Sequence, residues 1–318
     1  MKFYIKNIGM AVIGWGLLWI VLSAWDFSRH SIPLNDILSG GPAKDGIPAI
    51  DRPRFVPASK ASRTFLNDGD RIIALVVNGK KKAYPLKILN WHEIVNDSIG
   101  GRRVVVTFCP LCGTGMVFDA HAAGRSLNFG VSGLLYRSDV LLYDRQTESL
   151  WSQIKQEAVT GKLMGTRLQL VPSTQTTWGA WKKQHPDTFV LSTQTGYHRD
   201  YERDPYEGYL TSREIIFPVG PLNHRYHPKE QVIGIELEGL AKAYPFSELA
   251  RVKSPFKDKV GKKTVYVLYD SKSRTATIKD ASGKELPSVV GFWFAWHAFH
   301  KDTQVYTAPK KMSRSDTL

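Results

Sequence analysis

The stretch Lys82-Ala83-Tyr84-Pro85 occurs a second time in the chain, as Lys242-Ala243-Tyr244-Pro245. The match extends on both sides of this stretch: residues 72–118 align with residues 232–278 without a gap, at a constant offset of 160. A recurrence of this length indicates an internal duplication. We therefore expect two copies of one structural unit, with the same order of strands and helices in each.

A second pair of similar blocks follows the first. Residues 178–190 recur as residues 293–305, at an offset of 115. Because both pairs stand in the same order along the chain, they support the duplication. The change of offset leaves 45 extra residues between the blocks of the first repeat. In this insertion we expect short strands over residues 127–131, 140–143 and 149–153, separated by polar turns.

Each repeat is predicted to combine β-strands with short helices. In the first repeat Pro85 suits the first turn of a helix, which we expect to include Ile94 and to end before Gly100. Thr174 or Thr176 is expected to cap the helix of the second block. The predicted fold class is therefore a β-dominated α+β fold with a degenerate internal duplication, behind an N-terminal transmembrane helix.

The start of the chain predicts the compartment. Lys2 and Lys6 precede an uncharged, mostly apolar stretch over residues 8–25. This length is near the lower limit for a helix that crosses a bilayer, and basic residues before it predict a cytoplasmic N-terminus with the rest of the chain exported. The expected location is therefore the cell membrane, with the body on the periplasmic or extracellular side. A cleaved signal peptide is the alternative, because Ser23 and Ala24 suit a cleavage site.

These features divide the chain into predicted segments. The segments are a membrane anchor or signal segment (1–29), a tether (30–57), a first repeat with the inserted strands (58–191), a connector (192–230), a second repeat (231–308) and a tail (309–318).

The net charge of the chain is +14, from 43 basic and 29 acidic residues. Outside the cytoplasm, this excess favours contact with anionic lipid head groups or acidic envelope polymers. An ordinary soluble surface without an electrostatic partner is the alternative. No nucleic acid is expected, because the basic residues are scattered along the chain and form no stripe.

The chain has two cysteines, and they stand together in Cys109-Pro110-Leu111-Cys112, directly after the apolar run 104–108. Such a turn can be a redox dithiol, half of a metal site or a small disulfide. A redox thiolate usually lies at a helix N-terminus, whereas residues 116–118 are predicted as strand. A disulfide is expected in an exported protein, although so small a loop adds little stability.

A metal site needs more ligands than one C-x-x-C pair supplies, and histidines are the candidates to complete it. His92 precedes the cysteine strand and is the best candidate, and His121 follows the turn. Thiolates with imidazole suit copper or zinc. Haem attachment is disfavoured, because Gly113 stands where C-x-x-C-H requires histidine.

The insertion offers a second kind of site. Arg137, Asp139, Asp144 and Gln153 are predicted to line a cleft for a polar ligand. The alternative for Asp144 is that it stabilises a hairpin turn through backbone hydrogen bonds. The connector contains several tyrosines, and we expect it to cover the cysteine site, to cover a ligand pocket or to pack over the junction of the repeats.

Only the first repeat carries these reactive residues. At the offset of 160, Cys109 aligns with Tyr269 and Cys112 with Lys272. We therefore expect the first repeat to hold the site and the second to support it.

The motifs resemble those of an uncharacterised family found in bacteria and archaea. The string from Phe108 to Gly115, FCPLCGTG, is followed by FGVSG at 129–133, YDRxTxS at 143–149 and WSQ at 151–153. Together they are similar to the domain-of-unknown-function family numbered 3179, over roughly residues 60–308. The resemblance implies no activity, cofactor or catalytic residue.

Two hypotheses for the function follow. The first is a membrane-anchored envelope protein whose C-x-x-C site, Cys109 and Cys112, binds metal or exchanges disulfides. The second is a non-catalytic ligand-binding or scaffold module in which the cysteines form a structural disulfide. Nothing supports a hydrolase or a nucleotide-dependent enzyme, because no nucleophile elbow, HExxH motif or Gly-rich phosphate loop is present.

Overall fold

The computed structural model describes residues 25–309. Strands account for 40% of the residues and helices for 12%, which confirms the predicted β-dominated α+β class. Within the described residues, no helix has both the length and the apolar character needed to span a membrane. The predicted anchor over residues 8–25 lies outside the described residues, except for Trp25.

The elements are short. The helices are α1 (Ala58–Thr64), α2 (Leu86–His92), α3 (Trp178–Gln184), α4 (Phe246–Leu249) and α5 (Trp293–Phe299). The strands are β1 (Ile37–Ser39), β2 (Phe55–Pro57), β3 (Arg71–Val77), β4 (Lys80–Pro85), β5 (Ile94–Ile99), β6 (Arg102–Cys109), β7 (Thr114–Asp119), β8 (His121–Ala122), β9 (Arg125–Ser126), β10 (Phe129–Tyr136), β11 (Asp139–Asp144), β12 (Leu150–Ser152), β13 (Glu157–Ala158), β14 (Leu170–Val171), β15 (Thr174–Thr177), β16 (Phe189–Leu191), β17 (Gln231–Leu237), β18 (Leu240–Pro245), β19 (Phe256–Val260), β20 (Lys263–Asp270), β21 (Thr275–Lys279), β22 (Val289–Phe292) and β23 (Gln304–Val305).

The two repeats share strand order and register. The hairpin β3–β4 pairs Ile73 with Tyr84, and the hairpin β17–β18 pairs Ile233 with Tyr244. In both repeats the last strand lies parallel to the second strand: β16 beside β4, and β23 beside β18. The same pairs therefore recur with the same residue offsets that relate the two sequences.

Strands of the two repeats pair with each other, although each also keeps its partners within its own repeat. One sheet has the order β23-β18-β17-β22-β7-β6-β5, so that β22 of the second repeat joins β7 of the first. The junction is an antiparallel pairing of Val290 with Gly115. On the equivalent side, β15 of the first repeat approaches β21 of the second, where the hydroxyls of Thr176 and Thr275 lie 2.6 Å apart. Strands of the two repeats therefore meet at both places, through a strand pairing at the first and a hydroxyl contact at the second.

The structure corrects the alignment of the repeats at the cysteines. The hairpin β5–β6 turns at Gly100, with a φ of 57°, and the hairpin β19–β20 turns at Gly261, with a φ of 58°. Strands β6 and β20 are both eight residues long and end at Cys109 and Asp270. The offset is therefore 161 from this hairpin onward. Asp270 and Ser273 are the counterparts of Cys109 and Cys112, and not Tyr269 and Lys272.

Two helix boundaries differ from the prediction. Helix α2 ends at His92, because Glu93 has a φ of 57° and Ile94 already belongs to β5. Helix α3 is capped by Thr177, and not by Thr174 or Thr176. The Thr177 hydroxyl accepts a hydrogen bond from the Ala180 amide at 3.4 Å.

The insertion forms a sheet of its own, with the order β1-β10-β11-β12-β13. Strands β10, β11 and β12 overlap the three predicted strands. Strand β1 comes from the segment predicted as a tether, and Ile50 of the same segment is fully buried. The indole of Trp25 packs on Tyr143, with ring centroids 5.3 Å apart. The segment of residues 30–57 and the preceding Trp25 therefore pack on the rest of the protein.

Strand β6 is buried on both faces, which its unbroken apolar run predicts. Alternate residues of a strand point to opposite faces of the sheet. Val105 and Cys109 belong to the hydrophobic cluster that includes the inserted strands, whereas Val104, Val106 and Phe108 belong to the cluster that packs on α2. The thiol of Cys109 is therefore directed toward the insertion.

Candidate metal centre

The cysteine turn, residues 109–114, joins β6 to β7. Cys109 is the last residue of β6 and pairs with Thr114, the first residue of β7. Gly113 has a φ of 62°, and a Cβ atom there would lie 2.7 Å from the ring of Phe292. Glycine is therefore required by the left-handed backbone and by the close approach of the second repeat.

Both cysteines are free and buried, with 1% of Cys109 and none of Cys112 exposed. No disulfide joins them. The carbonyl oxygen of Ser138 lies 3.2 Å from the Sγ of Cys112 and 3.7 Å from the Sγ of Cys109. The two thiols therefore converge on one point of the inserted sheet.

The third acidic group at this point is Asp139. The hairpin β10–β11 turns through Arg137 and Ser138, which have φ values of 51° and 66°, and Asp139 follows as the first residue of β11. One ligand atom from each of Cys109, Cys112 and Asp139 lies within 4.8 Å of the others. These three residues could hold a metal ion.

The hydrogen bonds of Asp139 leave half of its carboxylate without a partner. One oxygen, Oδ2, accepts from the Ile154 amide at 3.0 Å and from the Ser152 hydroxyl at 3.4 Å. Within the described residues, the other oxygen has no hydrogen-bond partner, and neither does the hydroxyl of Ser138. Buried polar atoms without partners are rare, and these two atoms leave hydrogen-bonding and ligating capacity free beside the thiols.

Burial favours the protonated forms of the acidic groups in this cluster. It raises the pKa of Asp139 to about 7 and the pKa of the Cys112 thiol well above its usual range. Burial, and then the charge of Asp139, raise the pKa of Glu93 to about 8. A buried group of this kind loses its protons readily when a cation takes their place.

The structure does not bring His92 to the cysteines. Its Nδ1 lies 2.7 Å from the carbonyl oxygen of Pro48, and its Nε2 lies 2.7 Å from the hydroxyl of Tyr201. Both ring nitrogens are therefore used, and His92 connects α2 to the connector. His121 also lies apart, exposed beside Ser126. The third candidate ligand beside the two cysteines is therefore Asp139, whereas the sequence predicted a histidine.

The connector covers the cysteine turn. The Tyr209 hydroxyl donates to the carbonyl oxygen of Leu111 at 3.1 Å, and the ammonium of Lys229 lies 3.6 Å from the centre of the Tyr209 ring. Burial, followed by the nearby charges of Glu93 and Cys109, raises the pKa of Tyr206. One of the three predicted positions of the connector, over the cysteine site, is therefore observed.

A family model described as "Protein of unknown function (DUF3179)" matches residues 44–303. The chain belongs to this family. The matched range includes the cysteine turn, Asp139 and the connector, and it confirms the resemblance that the motifs indicated. No curated protein and no solved structure was found to match the chain.

The other residues that were predicted to line a cleft have structural partners. Asp144 accepts from the Thr147 amide at 2.6 Å and from the Trp151 indole at 2.9 Å, which agrees with the turn interpretation. The Arg137 guanidinium donates to the carbonyl oxygen of Ala298. Asp144 is fully buried, so it does not face an open cleft with Arg137.

Gln153 lies beneath the cysteine turn. Its amide nitrogen donates to the Thr107 hydroxyl at 2.7 Å, and its amide oxygen accepts from the Thr114 hydroxyl at 2.6 Å. Gln153 is fully buried. Its side chain therefore ties the inserted sheet to both strands of the cysteine hairpin, and of the four predicted cleft residues only Asp139 reaches the thiols.

Proposed function

We propose that this DUF3179 domain binds a transition-metal ion, zinc or copper, between Cys109, Cys112 and Asp139. The observation that carries the proposal is the convergence of three buried ligand atoms within 4.8 Å of one another. The unpaired carboxylate oxygen of Asp139 adds to it. Without a cation the centre is a costly arrangement, because buried polar groups without partners destabilise a fold.

The donor types fit these metals. Thiolate sulfurs favour Cu(I) and Zn²⁺, and carboxylate oxygens also bind Zn²⁺. Three protein ligands with an open position are typical of zinc sites that act on a bound molecule, whereas structural zinc sites are closed by protein ligands. The set Cys109, Cys112 and Asp139 resembles the open kind.

Thiol–disulfide exchange has less support. Attack requires an accessible thiolate, whereas both thiols are buried and the pKa of Cys112 is raised by burial. The turn also leads into strand β7 and not into a helix, so it lacks the helix N-terminus at which redox thiolates usually lie. The same burial suits a metal, because a bound cation deprotonates its thiols.

The proposed location is the outer face of a membrane, with the N-terminus anchored. Lys2 and Lys6 before the apolar residues 8–25 support this orientation. The net charge of +14 supports contact of the body with anionic lipid or envelope polymers.

The test is the metal content of the full chain. The protein is purified without added metal, then loaded with Zn²⁺ or Cu(I) under reducing conditions, desalted and measured by elemental analysis and thiol titration. We expect stoichiometric metal in the wild type and a loss of binding in Cys109→Ser and Cys112→Ser. Asp139→Asn is expected to weaken binding about tenfold or more.

The second repeat offers a matched control. Asp270 and Ser273 occupy the positions of Cys109 and Cys112 in the equivalent turn, and the double variant Asp270→Asn with Ser273→Ala should bind metal like the wild type. A wild-type protein that stays free of both metals after loading would contradict the proposal. So would cysteine variants that retain the metal.

A further inference from the structure

An open cleft lies on the outer side of the cysteine turn. It has a volume of about 320 Å³ and lies where the two repeats meet. Phe108, Pro110 and Phe292 contribute apolar surface to it, and neither cysteine lines it. This follows from the alternation of β6, which directs Phe108 to the face opposite Cys109. The cleft and the metal centre therefore share the cysteine turn as a common wall.

Arg71 brings a positive charge to this cleft. The guanidinium donates to two backbone carbonyls of the second repeat, those of Ser273 at 2.6 Å and Arg274 at 3.3 Å. Throughout residues 25–309, no carboxylate forms a salt bridge with it. Burial and the neighbouring Arg274 lower the pKa of Arg71 to about 10, so that it stays charged at neutral pH.

The other charged side chains of the cleft are compensated or exposed. Lys87 lies 3.3 Å from the carboxylate of Asp70 and 2.8 Å from that of Glu202. The carboxylate of Asp204 accepts hydrogen bonds from Asn90 and from the Tyr206 amide. Arg203 is exposed at the rim. Among the described residues that line the cleft, Arg71 is therefore the half-buried charge without a carboxylate partner.

We infer that this cleft binds a small organic carboxylate, with the carboxylate group on Arg71 and an apolar body against Phe108 and Phe292. A guanidinium matches a carboxylate through paired N–H donors. The volume suits a small molecule with one ring or a short chain. A singly charged carboxylate balances the charge of Arg71, whereas a doubly charged phosphate would leave excess negative charge near the carboxylates of Asp70 and Glu202. The inference does not depend on a metal in the neighbouring centre.

Calorimetry with benzoate tests the inference, with benzyl alcohol and inorganic phosphate as comparison probes. Benzoate is expected to bind about ten- to a hundredfold more tightly than benzyl alcohol, because a hydrogen-bonded charge pair is worth that much. Phosphate should bind more weakly than benzoate. Arg71→Gln is expected to remove the preference for benzoate, and Arg71→Lys to keep part of it.

Arg102→Gln is the matched control, because Arg102 lies outside the cleft and pairs with Asp119 at 2.8 Å; it should bind benzoate like the wild type. Arg71 also forms hydrogen bonds with the second repeat, so its substitution can disturb the fold. A measurement on the wild-type protein is therefore needed as well. In crystals of the wild-type protein soaked with 4-bromobenzoate, the anomalous bromine signal should lie in this cleft. Equal affinity for benzoate and benzyl alcohol, tighter binding of phosphate, or bromine only at other places would overturn the inference.

Discussion

Asp139 is an unusual residue to find at full burial. A carboxyl group in such a place loses most of its hydration, and asparagine or serine would cost less. The hairpin turn through Arg137 and Ser138 nevertheless directs it to the thiols. The burial of Asp139 therefore destabilises the fold, and destabilising groups of this kind are concentrated at functional sites.

This cost gives the metal-free protein a distinctive dependence on pH. Burial raises the pKa of the Asp139 carboxyl to about 7 in the folded state, from 3.8 for an aspartate exposed to water, as in the unfolded chain. Between these values the unfolded chain binds fewer protons, so the free energy of unfolding falls as pH rises. We expect Asp139→Asn to flatten this fall and to make the metal-free protein more stable than the wild type above pH 7.

Urea denaturation of metal-stripped proteins over a pH series measures this difference. Asp68→Asn is the control, because the Asp68 side chain is 75% exposed and its neutralisation should change little. A wild-type stability that is flat or that rises over this pH range would contradict the prediction.

Gln153 allows a prediction about the support of the centre. Its side chain joins Thr107 and Thr114 beneath the cysteine turn. Gln153→Ala should lower the free energy of unfolding by about 2–4 kcal/mol, from the cavity and the hydroxyl left without an acceptor. Gln184→Ala, at the exposed end of α3, should change it by less than about 0.5 kcal/mol. Equal losses for the two variants in denaturant titrations would show that the hydrogen bonds of Gln153 contribute nothing to the free energy of unfolding.

At this scale the sequence predicted two of the three candidate ligands. The C-x-x-C spacing is local and identified Cys109 and Cys112, whereas Asp139 meets them only because two separate hairpins pack together. His92 stood closer in sequence, but the end of α2 turns its ring toward Tyr201. The available signal for Asp139 was an acidic residue at the start of an otherwise apolar strand.

The cysteine turn depends on a glycine, which gives a prediction for the element. Gly113→Ala should cost about 2–4 kcal/mol, because it adds left-handed strain to a clash with Phe292. Gly124 has a φ of 71° with open space at its Cβ position, so Gly124→Ala should cost only about 1–2 kcal/mol from strain. Denaturant titration of both variants measures the difference. Equal losses would contradict a role for the Phe292 contact.

The alignment of the repeats shows what sequence identity could and could not predict. It placed the strands of the first hairpin and the tryptophan helix correctly, because their apolar pattern is fixed by the core. It failed at the next hairpin, where Gly101 was aligned with Gly261. The strand register shows that Gly100 is the true counterpart, because Ile99 pairs with Arg102 across the first turn and Val260 pairs with Lys263 across the second.

The pairing of β22 with β7 makes the centre dependent on both repeats. The Phe292 amide of the second repeat donates to the Cys112 carbonyl at 2.8 Å. The Gln175 amide of the first repeat donates to the Val290 carbonyl at 3.0 Å. The second repeat has no cysteines at the equivalent positions, yet its strand β22 supports the turn that carries them. The geometry of the cysteine turn therefore depends on both repeats.

This dependence predicts how the molecule unfolds. A fragment of residues 231–309 lacks β7, the partner of β22, and would expose the edge of a sheet, so we expect it to be unfolded by circular dichroism. The full chain should unfold in one transition, with tryptophan fluorescence and circular dichroism giving the same midpoint. A metal bound to the folded state alone should raise this midpoint. Two separate transitions, or a folded fragment, would show that the second repeat is an independent domain and that the pairing of β22 with β7 contributes little to the stability of the cysteine turn.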